Sequence, residues 1–249
     1  MDAEIYQKMV ALEKEHWWFA ARRIVLDRVL SNLALPVDAQ ILEAGCGTGG
    51  NLDMLARHGQ VFAMEADEKA YGYARRNGRA EVEPGRLPDD IPFCGLNFDL
   101  IVLLDVLEHL ADDMTSLRNL YLRLKPGGWL LITVPAYPFM WSHQDEILHH
   151  RRRYTKSGLL DVVKTAGYNV CYVSYFNSLL FPLIFGVRLF HRLIGSSDLN
   201  ELAMPPQRMN RLLTTIFASE RHAIGCISVP FGVSLLLLAQ KYSPGIDER

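Results

Sequence analysis

Residues 39–59, AQILEAGCGTGGNLDMLARHG, decide the fold. A short apolar run leads into a glycine-rich turn, and apolar residues then recur at helical spacing, so the stretch reads as strand, turn and helix. Glycines let the backbone turn sharply and come close to a ligand. The helix behind the turn presents free N–H groups to an anionic group. Glu43 stands at the strand end, where its carboxylate would repel a pyrophosphate and welcome a cationic amino group. The next apolar run, VFAMEAD, ends at Glu65, and a carboxylate there can accept both ribose hydroxyls of an adenosine.

Outward from this unit the pattern repeats. FDLIVLLD (98–105) is a continuous apolar run, as a strand buried on both faces requires, and WLLITVP (129–135) is another. Between them a helix is expected over about 110–124, stopped by Lys125-Pro126-Gly127-Gly128. Residues 67–77 read as a helix ending at Asn77-Gly78, and 80–83 as a weak strand. Residues 3–31 read as helical, with Ile24, Val25, Val29 and Leu30 on one face and Pro36 closing the region. Thr155 or Ser157 can cap a helix running to Gly167, and 169–175 and 233–240 read as strands. This alternation predicts an α/β doubly wound sheet in a single domain over 1–249. Its expected parts are an N-terminal helical lid (1–36), a sheet core (37–175 and 233–240) and a helical insertion (176–232).

The net charge of −2 carries no basic surplus, so a nucleic-acid partner is not expected. Cys46, Cys94, Cys171 and Cys226 form no CxxC pair, which points to a reducing compartment and no zinc pattern. MDAEIYQKMV lacks the apolar core of a signal peptide, and a cytoplasmic location is expected. The apolar stretches Leu179–Val187 and Ala223–Ala239 are too interrupted to span a membrane. Residues 176–195 nevertheless join apolar side chains to Arg188, His191 and Arg192, which suits peripheral contact with an inner membrane face, a homodimer contact or packing on the sheet.

LEAGCGTGG, Glu65, FDLIVLLDVLEHL and LRLKPGGWLLITVP, in that order, resemble the motifs of class I S-adenosylmethionine-dependent methyltransferases. The resemblance implies a Rossmann-like seven-stranded sheet with an antiparallel last strand, and S-adenosyl-L-methionine as cofactor. It implies that Glu43, Gly45, Gly47 and Gly49 hold the methionyl end, Glu65 the ribose and Leu87 the adenine, with Asp105 at the cofactor's substrate edge. Arg86-Leu87 departs from the Asp that many members carry there. The flanks EKEHWWFAARR and HHRRRYT resemble bacterial methyltransferases associated with polysaccharide or lipid-linked pathways, and imply a small or lipid-linked acceptor. Gly45, Gly47 and Gly50 also satisfy the dinucleotide fingerprint, which keeps a nicotinamide-dependent oxidoreductase as an alternative, beside a non-catalytic cofactor-binding scaffold.

Candidate catalytic groups follow the fifth strand: His143, Asp145, His149 and His150, then Arg151, Arg152, Arg153 and Tyr154. Open α/β sheets bind ligands at the carboxyl ends of their strands. His143, Asp145, His150 and Tyr154, with His109, are the expected catalytic set, and the arginines would suit a phosphate or carboxylate. Asp105-Val-Leu-Glu108-His109 is similar to the ExxEH element of small-RNA 2′-O-methyltransferases, which bind a divalent metal, and ubiquinone-pathway O-methyltransferases show a similar pair. Many metal-free members carry the pair as a helix-start network, and no metal ligand is assigned from sequence. Trp17, beside Trp18 and Phe19, is expected to lid the cofactor pocket, where an aromatic face attracts a sulfonium, with His16 and Arg22 as polar neighbours.

Overall fold

The computed structural model describes residues 10–193 and 203–242. Seven strands form one sheet: β1 Gln40–Ala44, β2 Gln60–Glu65, β3 Ala80–Pro84, β4 Phe98–Leu104, β5 Leu124–Pro135, β6 Asn169–Phe176 and β7 Ser234–Gln240. Their order is β3-β2-β1-β4-β5-β7-β6. The first five pair in parallel, and β7 runs antiparallel to both β5 and β6. The helices are α1 Trp17–Ser31, α2 Leu52–Leu55, α3 Glu68–Arg76, α4 Asp113–Arg123, α5 His143–Ile147, α6 Lys156–Thr165, α7 Phe181–Leu193 and α8 Gln207–Ala218.

The central strands are apolar without interruption because both faces are covered. Successive residues point to opposite faces. Ile41, Val61, Leu100, Val102 and Leu131 therefore join one core with α1 and Phe217 of α8. Leu42, Phe62, Ile101, Leu103, Leu130 and Ile132 join the other, with Leu117 and Leu120 of α4 and Leu159 and Val163 of α6. Full burial of each such side chain stabilises the fold by about 1.5–3 kcal/mol.

Three boundaries differ from the sequence expectation. The N-terminal helical region is broken at His16, which follows helical residues 10–15. The His16 backbone is extended, and its side chain accepts the Trp18 N–H, so it caps α1. Of the residues expected to be helical, 3–9 lie outside the described part. The helix expected from 110 begins later, at Asp113, because Asp112 caps it by accepting the Thr115 N–H, and Leu107–His109 form a separate 3₁₀ turn. Lys125-Pro126-Gly127-Gly128 lies inside β5 rather than before it, and a register shift between Phe98 and Leu100 of β4 absorbs the irregularity.

The 176–232 region contributes α7, α8 and a 3₁₀ turn, Ser219–His222. α8 packs on α1: Phe217 meets Trp17 edge-on, and the Asn210 side chain accepts the Trp17 N–H while donating to the Glu15 carbonyl. No described helix is long and apolar enough to cross a membrane. Replacing Phe217, fully buried against Phe176 and Trp17, with Ala is expected to lower the unfolding free energy by about 3–5 kcal/mol. Leu183→Ala on the exposed face of α7 should change it by less than about 0.5 kcal/mol. Urea denaturation of the two variants checks this contrast.

Candidate active site

The glycine loop leaves β1 with Gly45, Gly47 and Gly49 all at positive φ (82°, 56° and 91°). A side chain at Gly45 would place its Cβ 2.8 Å from Val106 Cγ2, so the loop after β1 and the loop after β4 touch only because this residue has none. The loop is tied to the second strand by the Gly45 and Cys46 N–H groups, which donate to the Met64 carbonyl at 2.8 and 3.0 Å. Glu65 locks the arrangement. One carboxylate oxygen accepts the Gly47 N–H at 2.8 Å, and the other accepts those of Ala66 and Asp67, also at 2.8 Å.

Glu43 is buried beneath the loop. Its Oε1 accepts the Asn51 side-chain amide at 2.8 Å, and its Oε2 has no hydrogen-bond partner. Burial pushes its carboxyl up to about 8, against the Asn51 hydrogen bond and the Arg22 charge. Arg22, also buried, pairs with Asp105 and lies 4.6 Å over the Trp18 ring. Burial lowers its guanidinium to about 10, so it stays charged at neutral pH. Asp105 has a positive φ of 57°, and its N–H donates to the Thr133 carbonyl at 3.0 Å. Glu13 covers the loop from the other side and accepts the Thr48 hydroxyl.

A second polar group gathers where β4 and β5 end. His150 Nδ1 is 2.8 Å from Asp145 Oδ1, and its Nε2 is 3.9 Å from Glu108 Oε1. The His109 ring stands edge-on to His150, with centroids 4.7 Å apart. Burial pushes the Glu108 carboxyl up to about 8. Burial, followed by the His150 charge, lowers His109 to about 4, so His109 is neutral at pH 7. Asp145 behaves oppositely. Its burial favours the proton, but the His150 hydrogen bond, the charge and hydrogen bond of Arg153 and the Ser142 N–H together hold it well below the usual carboxylate range. Asp145 is therefore an anionic anchor that fixes the His150 ring.

The other expected residues are placed elsewhere. His143 is half exposed and pairs with Glu146 at 3.1 Å, outside the cluster. The Tyr154 hydroxyl donates to Asp113 at 2.6 Å, and burial raises it above the usual phenol range, so it keeps its proton and ties the segment to α4. Arg151 donates to the His109 carbonyl, Arg152 to Asp113 and Arg153 to Asp145, so all three are engaged within the chain. Trp17 packs on Phe217 of the insertion, and Trp18 is the ring over Arg22. Leu87 is buried in the core face that contains Phe62. Sequence reasoning missed Glu13 and Asn51. Asn51 follows the glycines directly, but its link to Glu43 needed the turn geometry, and nothing in the sequence around Glu13 signals its seat on the loop.

The strand order and a glycine loop flanked by buried acids define a Rossmann-like fold of the methyltransferase type. A family model described as a methyltransferase domain matches residues 17–173. The chain belongs to this methyltransferase family, of class I and dependent on S-adenosylmethionine. It is 29% identical over 163 residues to the "Probable S-adenosylmethionine-dependent methyltransferase" of Mycolicibacterium smegmatis, covering 64% of this chain and 62% of that protein. It is 28% identical over 111 residues to a ubiquinone biosynthesis O-methyltransferase of Albidiferax ferrireducens, covering 42% of this chain and 44% of that one. The chain thus spans less than two thirds of either relative. Among solved structures, a methyltransferase of Mesorhizobium loti superposes with a TM-score of 0.56 at 18% identity, covering 92% of this chain and all of that one.

The two raised carboxyls set a pH dependence. With folded values of about 8 against 4.5 for the free group, Glu43 and Glu108 impose no pH-dependent cost below about pH 4.5, where both states are protonated; above it the unfolded chain ionises first, so stability falls as pH rises and levels off just above 8. The ligand-free protein is expected to show a Tm that falls from about pH 5 to pH 8 through these two groups and loses that slope above it. Glu43→Gln and Glu108→Gln should each flatten that slope, which differential scanning fluorimetry reads directly.

Proposed function

We propose that the protein transfers the methyl group of S-adenosyl-L-methionine to an oxygen of a small or lipid-linked acceptor. The observation that carries the reading is the Asp145–His150 pair beside Glu108 and His109, at the strand ends that flank the Arg22–Asp105 edge of the glycine loop. Glu43, with one carboxylate oxygen unpartnered, receives the ammonium of the methionyl group, and the backbone of Gly45, Gly47 and Gly49 lines that end. Glu65 is already fixed by three N–H groups and keeps one of its four lone-pair positions, on the Oε2 that Gly47 meets, to accept a ribose hydroxyl. Leu87 packs against the adenine, and Asp105 borders the reacting edge.

Transfer is an in-line displacement. The acceptor oxygen forms a bond to the methyl carbon while the carbon–sulfur bond breaks, and the sulfonium leaves as the neutral thioether. The acceptor's proton passes to His150 Nε2, the ring nitrogen that Asp145 leaves open. A positioned base contributes about 10²–10⁴-fold to such a step. An oxygen acceptor is supported by this base and by the O-methyltransferases among the relatives. The lipid-linked class is supported by α7, which exposes Leu183, Phe190 and Leu193 and ends in His191 and Arg192.

Glu65→Ala is expected to weaken S-adenosylhomocysteine binding by about 10–100-fold, the value of hydrogen bonds to a charged group. His150→Ala should leave that affinity within about twofold while lowering kcat with a responsive acceptor by about 10²–10⁴-fold. Calorimetry with S-adenosylhomocysteine, and with NAD⁺ in parallel, measures the first effect. Binding of NAD⁺ alone would overturn the donor assignment.

A further inference from the structure

We infer that Glu108, His109 and His150 form a binding site for one divalent first-row transition-metal ion. One ligand atom of each lies within 4.8 Å of the others. Atoms bound to a common ion at about 2.0–2.2 Å stand roughly 3–3.5 Å apart, so small side-chain rotations close the set. Glu108 is fully buried, and neither of its carboxylate oxygens has a hydrogen-bond partner. A buried carboxylate left this way is costly unless something cationic or a proton meets it. The guanidinium groups nearby are engaged with other acids, Arg22 with Asp105 and Arg153 with Asp145. Asp105, held by Arg22, stands outside the ligand set, so the group is two imidazoles and one carboxylate.

The surroundings are those of a ligand shell. Asp145 takes the Nδ1 side of His150 at 2.8 Å, which fixes the tautomer that leaves Nε2 facing Glu108. Two further bonds hold the loops together: the Arg151 N–H donates to the Glu108 carbonyl at 2.9 Å, and Arg151 Nε donates to that of His109 at 3.0 Å. Nitrogen-rich sets of this kind suit manganese, iron, cobalt or zinc ions better than magnesium or calcium. Three protein ligands leave at least one coordination position open. On the reading of the site given above, an acceptor oxygen occupies that position. In the ion-loaded protein Nε2 would be a ligand and the ion, in place of the imidazole, would make the bound hydroxyl acidic, its proton leaving to solvent; His150 would act as the base only in the metal-free protein.

The test is titration of the tag-free, chelator-treated full chain with Mn²⁺, followed by electron paramagnetic resonance, with Zn²⁺ and Mg²⁺ as competitors. The expected result is one Mn²⁺ per chain, displaced by Zn²⁺ far more readily than by Mg²⁺. Glu108→Gln and His150→Ala should weaken binding at least about tenfold, one decade in Kd, while His143→Ala binds as the parent does. Far-UV circular dichroism and S-adenosylhomocysteine titration of the same samples verify the fold and report separately on the methyl-donor reading. Absence of stoichiometric Mn²⁺ binding overturns the site, as does binding unchanged in both Glu108→Gln and His150→Ala.

Discussion

The Arg22 guanidinium is the contact on which the upper half of the molecule depends. It lies in the interior, where removing a charge from water costs several kcal/mol unless partners compensate. Three groups do so. Asp105 pairs with it from the end of β4, the Asn51 side chain lies 3.5 Å away at the start of α2, and the Trp18 ring lies beneath it. One cation thus joins the N-terminal helix, the glycine loop and the fourth strand. Deleting it would leave Asp105, whose side chain is 19% exposed, without its counter-ion, a loss smaller than the about 3–5 kcal/mol of a fully buried pair.

Much of this was legible beforehand. Strands buried on both faces betray themselves as unbroken apolar runs, so FDLIVLLD and WLLITVP stood out without any tertiary information. The antiparallel β7 came through resemblance, since no local property of SLLLLAQ distinguishes its direction. The glycine loop was readable because positive φ restricts the residue type.

Side-chain partnerships were harder to read. His143 and His150 look alike in sequence, seven positions apart, yet His143 opens α5 on its solvent side while His150, beyond the end of that helix, folds back onto Asp145. The run of three arginines looks like an anion site, but each guanidinium has a partner within the chain that is distant in sequence or set by the loop's path. Trp17 and Trp18 are adjacent, and helical geometry sends them to different neighbours, one to the insertion and one to Arg22. Periodicity says which residues share a face, and it leaves open what that face meets.

The pattern of compensated and uncompensated charge then separates scaffold from site. Asp105 and Asp145 each hold an arginine, and Asp145 also holds His150, so neither has reason to accept a proton or a ligand charge. Glu43 and Glu108 are equally deep but keep oxygens without partners. A fold gains nothing in stability from such groups, because burial without a counter-charge only raises their affinity for a proton. Their cost makes sense as readiness. Glu43 sits under the loop where a cationic amino group fits, and Glu108 faces two imidazoles, one of which is already neutral. On the readings proposed above, each carboxylate is completed by a positive ligand that the polypeptide itself does not supply. On the proposed reading, the edge beside the Arg22–Asp105 pair is where methyl donor and acceptor meet.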